Sequence, residues 1–257
     1  MIAYNQNMDL LFLWIIIASL VGSIFAMCGG VLLLINERIA KKLSLHLLSF
    51  AAGSLLGAAL FELIPESLEI SANNELVFAS VAFGVMLFFV LEKILNFYHC
   101  HDKELCDIHD FSITVIIGDA FHNFLDGIAI AISFLISIPT GIATTAAVFF
   151  HEVPQEISDF GILLHNGYSR WKTFKYNFLA ALGTPIGAIL GYMLKDSIEP
   201  YIPILLGAAA GSFIYISISD LIPELRHKAG VKEFSHILIM IAGLVVIWTI
   251  GNLIPEA

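Results

Sequence analysis

Charged residues are scarce in this chain, and their scarcity decides the class of protein. Only 13% of the 257 residues are Asp, Glu, Lys or Arg, whereas 58% are hydrophobic. A soluble domain covers its surface with charge, so this composition excludes a soluble globular protein. Residues 10–36, 127–150 and 200–219 carry no charge at all, and about 20 apolar residues suffice for a helix to cross a bilayer. The sequence therefore predicts an all-α polytopic membrane protein.

Cysteine is also rare, and positive charge is in deficit. The chain has three cysteines, Cys28, Cys100 and Cys106, and an odd number argues against a full disulfide framework. The formal net charge of −10 argues against a nucleic-acid partner. The expected surroundings are a lipid bilayer.

Eight transmembrane segments are predicted, with both chain termini outside. They cover residues about 9–35, 45–65, 75–97, 111–136, 141–165, 174–194, 201–222 and 234–254. Of the 12 basic residues, all except Lys195 fall near the connections after spans one, three, five and seven. The positive-inside rule makes that side cytoplasmic. Acids on the other side, such as Glu69 and Asp196, either attract cations or form a solvated edge.

Two segments of the chain repeat one another. Residues 52–66 read AGSLLGAALFELIPE and residues 210–224 read AGSFIYISISDLIPE, at a constant offset of 158. Because spans two and seven run in opposite directions, the halves predict an inverted repeat. In this 3+2+3 plan, residues about 9–97 and 174–254 flank central helices at about 111–165, all within one transporter domain of residues 1–257. Substrate sites of such transporters lie near the midplane. Entrance or exit positions for a cation are predicted at Glu62, Glu66, Asp220 and Glu224.

The central spans carry an unusual density of polar side chains. Span four contains GDAFHNFLDG, with Asp119, His122, Asn123 and Asp126, and span five contains HEVPQEISD, with His151, Glu152, Gln155, Glu156 and Asp159. An ionised acid at the bilayer centre costs about 2.5–3.5 kcal/mol, and neither stretch contains Lys or Arg. Spacings of i and i+4 place several of these groups on shared helix faces. A bound divalent cation is therefore predicted.

The ligand types narrow the choice of cation. Imidazole, carboxylate and amide groups suit Zn²⁺, and also Fe²⁺, Mn²⁺, Co²⁺ or Cd²⁺. No cysteine lies in span four or five, which argues against Cu⁺. The metal is expected as a transported or bound ion, and no catalytic cofactor is expected.

HNFLDG in span four and HEVPQE in span five closely resemble the paired motifs of the ZIP family of zinc and iron transporters. The run HEVPQEISDFGILL, followed by KTFKYNFLAALGTPIGA, is most similar to the LIV-1 branch. The resemblance covers essentially the whole chain and shares the eight spans, the outside termini and the three-two-three plan. The chain departs from the pattern at Gln155, where that branch usually has His, and at Thr184, where other members have a carboxylate.

The resemblance also implies two adjacent metal positions. The first would be bound by His122, His151 and Gln155. The second would be bound by Asn123, Asp126, Glu152 and Glu156, and other assignments of the bridging ligand stay open. Asp119 and Asp159 extend the polar stripes by about one turn and are candidates for auxiliary cation binding.

The connection between spans three and four, at about 98–110, is rich in soft metal ligands. Residues 99–110 read HCHDKELCDIHD. His99, Cys100, His101, Cys106 and His109 predict a cytoplasmic exit or sensing site, and the alternative is a disordered polar connector.

The function predicted from these features is zinc uptake toward the cytoplasm across the cell (plasma or inner) membrane, by a protein that is not an enzyme. A homodimer is left open. The first alternative is an intramembrane metal-dependent hydrolase, because His-Glu-x-x-x-Glu is superficially similar to the His-Glu-x-x-His of zinc proteases. The second alternative is a metal sensor without flux.

Overall fold

The computed structural model describes residues 8–97, 108–223, 225 and 234–253, and the ordered elements in these ranges are helices. Six of them are long and apolar enough to cross a membrane. The predicted all-α polytopic class is therefore confirmed. Of the predicted loop ligands, His99, Cys100, His101 and Cys106 lie outside the described residues, as does Glu224. The backbone of His109 is helical, and its side chain is also outside the description.

The helices follow one another with short connections. They are α1 (Met8–Ile35), α2 (Glu37–Ile70), α3 (Asn74–Phe97), α4 (Ile108–Ile136), α5 (Ile138–His165), α6 (Arg170–Ala181), α7 (Gly183–Met193), α8 (Lys195–Leu221) and α9 (Phe234–Leu253). The six candidate membrane helices are α1, α2, α3, α4, α8 and α9. The polar residues of α5 lower its mean hydropathy, so this helix is not among the six. Predicted span six is divided at Leu182, where Pro185 in the next turn supplies no backbone N–H.

Side-chain caps fix where several helices begin. The backbone N–H of Ile39 donates to Asn36 Oδ1 at the start of α2, and that of Thr140 donates to Ser137 Oγ at the start of α5. Pro139 occupies the first turn of α5, where no intrahelical donor is needed. Pro154 lies inside α5, which continues past it to His165.

Within the described ranges, three stretches are wound as π-helix, at Val21–Phe25 in α1, Ala58–Leu63 in α2 and Ile216–Leu221 in α8. The last two are separated by 158 residues, the offset of the repeated sequences. These two stretches are each followed directly by Ile-Pro. Such π-turns are uncommon in helices and are frequent at functional sites.

Glycines let three helix pairs approach closely. A Cβ at Gly53 in α2 would collide with the carbonyl oxygen of Met240 in α9, and a Cβ at Gly211 in α8 would collide with that of Val81 in α3. A Cβ at Gly187 in α7 would likewise collide with the carbonyl oxygen of Phe124 in α4. Small residues at such contacts are typical of membrane helix pairs. In all three pairs, residues later in one helix contact residues later in the other. The paired helices therefore run parallel.

The two central helices are each held by a glycine-rich partner. Gly29 and Gly30 of α1 contact Val153 and Phe160 of α5, as the glycines of α7 contact α4. Because α4 and α5 also contact each other, their polar faces meet in the interior.

Candidate metal centre

Four side chains from α4 and α5 converge on one small volume. Each of His122, Asp126, His151 and Glu152 offers a ligand atom within 4.8 Å of the others. His151 Nε2 lies 3.0 Å from Asp126 Oδ2 and 3.4 Å from Glu152 Oε1, and His122 Nε2 lies 3.1 Å from His151 Nε2. His122 Nε2 is also 3.6 Å from Asp126 Oδ2 and 3.5 Å from Glu152 Oε1.

These separations match a single tetrahedral ion. Ligand atoms about 2.1 Å from a tetrahedral Zn²⁺ lie about 3.4 Å from one another, and the five separations that involve a histidine run from 3.0 to 3.6 Å. Two imidazole nitrogens and two carboxylate oxygens are ligands that zinc, iron(II) and manganese accept. The arrangement can therefore hold one divalent cation with little movement.

A backbone hydrogen bond orients His151 for coordination. Its Nδ1 lies 3.0 Å from the carbonyl oxygen of Ala147, one turn earlier in α5. A carbonyl oxygen only accepts, so Nδ1 carries the proton and the neutral ring presents the lone pair of Nε2 to the cluster. Ring contacts with Phe213 for His151 and with Phe88 for His122 hold both imidazoles in place.

Burial makes a positive partner necessary at this cluster. Glu152 is fully buried and His151 is 1% exposed. Neither carboxylate oxygen of Glu152 accepts a hydrogen bond, and α4 and α5 contain no Lys or Arg. Buried charge in an apolar medium is tolerated only when it is compensated. A cation between the two helices would supply that compensation.

Asn123 and Gln155 make hydrogen bonds away from the cluster. Asn123 Oδ1 accepts from Thr184 Oγ1 at 2.7 Å, and its Nδ2 donates to Asp119 Oδ1 at 2.9 Å. Gln155 Nε2 donates to the same Asp119 oxygen at 3.0 Å. The structure thus groups Asp126 and Glu152 with the two histidines, and it places Asn123 and Gln155 around Asp119.

The remaining predicted residues divide into two groups. Asp119, Glu156 and Asp159 are buried next to the cluster. Near the other end of the helices, Glu62 is buried against Gly251, and Glu66 accepts a hydrogen bond from Thr140 Oγ1 at 3.2 Å. Asp220 in α8 is exposed. The sequence did not predict that the carbonyl of Ala147 accepts from His151, or that Thr184 donates to Asn123. The i−4 spacing of Ala147 from His151 was a usable signal for the first of these contacts.

Acid should weaken metal binding at this cluster. The histidines must be neutral and the carboxylates ionised to coordinate, so protons compete with the metal for the same atoms. Zinc affinity should fall as pH decreases, by up to about tenfold per pH unit for each proton displaced. Equilibrium zinc binding between about pH 5 and 8 measures this. An affinity that is flat over that range, or one unchanged when both histidines are replaced by Asn, would remove them from the ligand set.

Comparison with known proteins agrees with the geometry. The family model described as ZIP Zinc transporter matches residues 98–251, more than half of the chain. Zinc transporter ZIP13 of Pongo abelii is 29% identical over 90% of this chain and 76% of its own length. Zinc transporter YKE4 of Saccharomyces cerevisiae is 30% identical over 76% of this chain and 64% of its own length.

A third relative, zinc transporter ZIP10 of Danio rerio, is 38% identical, but the match covers 49% of this chain and only 15% of the relative. ZIP13 and ZIP10 are LIV-1 members, so the predicted branch is confirmed. These relatives are named as transporters and not as enzymes. The chain belongs to the ZIP zinc transporter family.

Proposed function

We propose that this protein transports divalent metal cations, zinc above all, across a membrane through the cluster between α4 and α5. One observation carries the proposal. His122, Asp126, His151 and Glu152 present two nitrogens and two oxygens within 4.8 Å, in helices that contain no Lys or Arg. The relatives named as zinc transporters support the same function. Fe²⁺, Mn²⁺, Co²⁺ and Cd²⁺ share these ligand preferences and are the further candidate cargoes.

The proposed architecture is one transporter domain with eight spans and outside termini, arranged as a 3+2+3 inverted repeat. In it, α5 is span five and α6 continues into α7 as span six. The π-helical stretches, separated by the repeat offset, support this arrangement. So do the equivalent contacts of Gly53 with Met240 and of Gly211 with Val81. Parallel pairs α2–α9, α3–α8 and α4–α7 are expected when successive spans alternate in direction.

The proposed direction is uptake toward the cytoplasm, in the cell membrane. A cavity of about 1010 Å³ lies at the end of α5 that precedes the basic connection, and Glu37, Ser158, His165 and Arg170 are among its lining residues. The positive-inside rule makes this side cytoplasmic, so the cavity offers the ion a way out. All four cluster residues come from one chain, so a homodimer is not required to complete the site.

Flux into vesicles tests the function. Purified protein reconstituted into vesicles should carry zinc inward, and competition by Fe²⁺, Mn²⁺ and Cd²⁺ should rank the cargoes. The two alternatives, a hydrolase and a sensor, predict metal binding without flux. A hydrolase also needs an open metal position for its activated water, whereas four protein ligands fill a tetrahedral ion. Correctly inserted protein that binds zinc but carries none would overturn the proposal.

The His/Cys loop is proposed to be auxiliary to transport. Replacing His99, Cys100, His101, Cys106 and His109 together by Ser should leave the zinc flux largely intact, since the proposed transport site lies between α4 and α5. Regulation by cytoplasmic metal should weaken, because soft ligands at this density bind metal. Vesicle flux with and without zinc on the cytoplasmic side measures both effects. Complete loss of flux at normal expression would place the loop on the obligatory path.

A further inference from the structure

The first two turns of α6 carry a cluster of basic side chains. Arg170, Lys172 and Lys175 are all exposed, although the chain as a whole has a formal net charge of −10. None of the three forms an ion pair with an acid in the described parts of the chain. The first turn of α6 also lacks an acid, and acids, not bases, stabilise that end of a helix. The like charges of the cluster therefore repel one another without compensation from the protein.

Aromatic side chains accompany this basic cluster. Trp171 is 72% exposed and stacks on Phe174 with ring centroids 5.8 Å apart, and Phe174 stacks on Phe178 at 6.1 Å. Tyr168 and Tyr176 make another ring contact, with centroids 5.7 Å apart. Trp and Tyr are enriched where a membrane protein meets the headgroup region, because their rings are amphipathic. The start of α6 therefore has the composition of a segment at the bilayer surface.

The exposed face of α6 changes from basic to apolar along the helix. Trp171, Lys172, Lys175 and Leu179 are exposed and lie on one side of the helix, whereas the opposite side is buried. Leu179 is one turn beyond Lys175, so the apolar part of this face follows the basic part. This order matches the cross-section of a bilayer, in which charged headgroups overlie the hydrocarbon core.

The basic cluster borders the large cavity at the end of α5. Arg170 lines that cavity together with His165 and Asn166. In the proposed arrangement of the spans this side faces the cytoplasm, and the cytoplasmic leaflet carries anionic lipids. A headgroup phosphate beside Arg170 would lower the positive potential at the mouth of the cavity, through which the proposed route releases a cation.

We propose that Arg170, Trp171, Lys172 and Lys175 form a surface that binds the headgroup of an anionic phospholipid from the cytoplasmic leaflet. Charge complementarity decides the partner, since these cations pair with no acid of the described residues and face a negatively charged bilayer surface. The indole of Trp171 lies at the level of the headgroups, and Leu179 contacts the acyl chains. The inference rests on the proposed arrangement of the spans and goes beyond transport, because binding of lipid requires no flux.

Native mass spectrometry of the purified full-length protein tests this surface with phosphatidylglycerol and with phosphatidylcholine of the same acyl chains. Phosphatidylglycerol should bind at least about tenfold more tightly, because each nearby cation strengthens the attraction to anionic lipid about fivefold. The double variant Lys172→Gln/Lys175→Gln should lose most of this preference. The matched control Arg38→Gln/Lys93→Gln removes the same charge from exposed positions on the same side of the proposed arrangement, and it should keep the preference. Gel filtration checks that both variants are folded.

Equal binding of the two lipids by the parent protein would overturn the proposal. So would an equal loss of preference in the control variant, because the attraction would then come from general positive charge. Displacement of the lipid by an equal concentration of inorganic phosphate would reveal a general anion site and would also reject the lipid surface. Zinc flux is measured separately, and absent flux with a retained preference for phosphatidylglycerol would reject transport and keep the lipid surface.

Discussion

Replacing His151 by Ala should abolish zinc flux while leaving the protein folded and inserted. His151 Nε2 lies within 3.4 Å of ligand atoms from His122, Asp126 and Glu152, so its loss removes a nitrogen that is close to all three other ligand atoms. Changes to groups that only orient a metal ligand cost about 10–100-fold in affinity, and loss of the ligand itself should cost at least that. Zinc flux into vesicles and zinc affinity measure the two effects.

His46→Ala is the matched control for this substitution. His46 is an exposed histidine on α2, outside the cluster, and its replacement should leave flux near the parent value. Gel filtration and thermal unfolding establish that the His151 variant is folded. Near-normal flux in folded His151→Ala protein would refute the proposed role of this histidine.

Gly53→Ala should strongly destabilise the protein. The added Cβ would collide with the carbonyl oxygen of Met240, a backbone atom that cannot move without separating α2 from α9. Overpacking typically costs about 1–3 kcal/mol, and a backbone collision should reach the top of that range or exceed it. Gly211→Ala should behave alike, because its Cβ would meet the carbonyl of Val81. Thermal unfolding in detergent measures both.

Gly161→Ala is the control, since it adds the same methyl group to another long helix, α5. There the new Cβ would approach only Leu33 Cδ2, at 3.8 Å, an ordinary contact. Alanine is also the better helix former by about 1 kcal/mol, so this variant should be as stable as the parent or slightly more stable. Equal stability of the Gly53 and Gly161 variants would contradict the close α2–α9 packing.

Local spacing in the sequence predicted part of the site. His122 and Asp126 share a face of α4 because they are four residues apart, and the absence of Lys and Arg predicted a cation. What spacing could not predict is how α5 is rotated against α4. That rotation is set by contacts such as Gly30 with Phe160 and Gly187 with Phe124, which involve other helices.

The rotation decides which α5 residues join the histidines. It brings Glu152 to the cluster and directs Gln155 to Asp119. On a helical wheel Gln155 shares the face of His151, four residues earlier, whereas Glu152 shares a different face with Glu156. For the fold, hydropathy predicted the class and most helix positions, whereas the division of span six at Leu182 depends on Pro185. The π-helical stretches leave no signature in hydropathy.

The matched π-helical stretches also bear on the history of the chain. A π-turn corresponds to one extra residue inserted into an α-helix, and here Ala58–Leu63 and Ile216–Leu221 have it at the same place in the proposed repeats. Two unrelated insertions at equivalent positions would be a coincidence, whereas one insertion before duplication explains both. A single ancestral half would then already have contained this irregular turn.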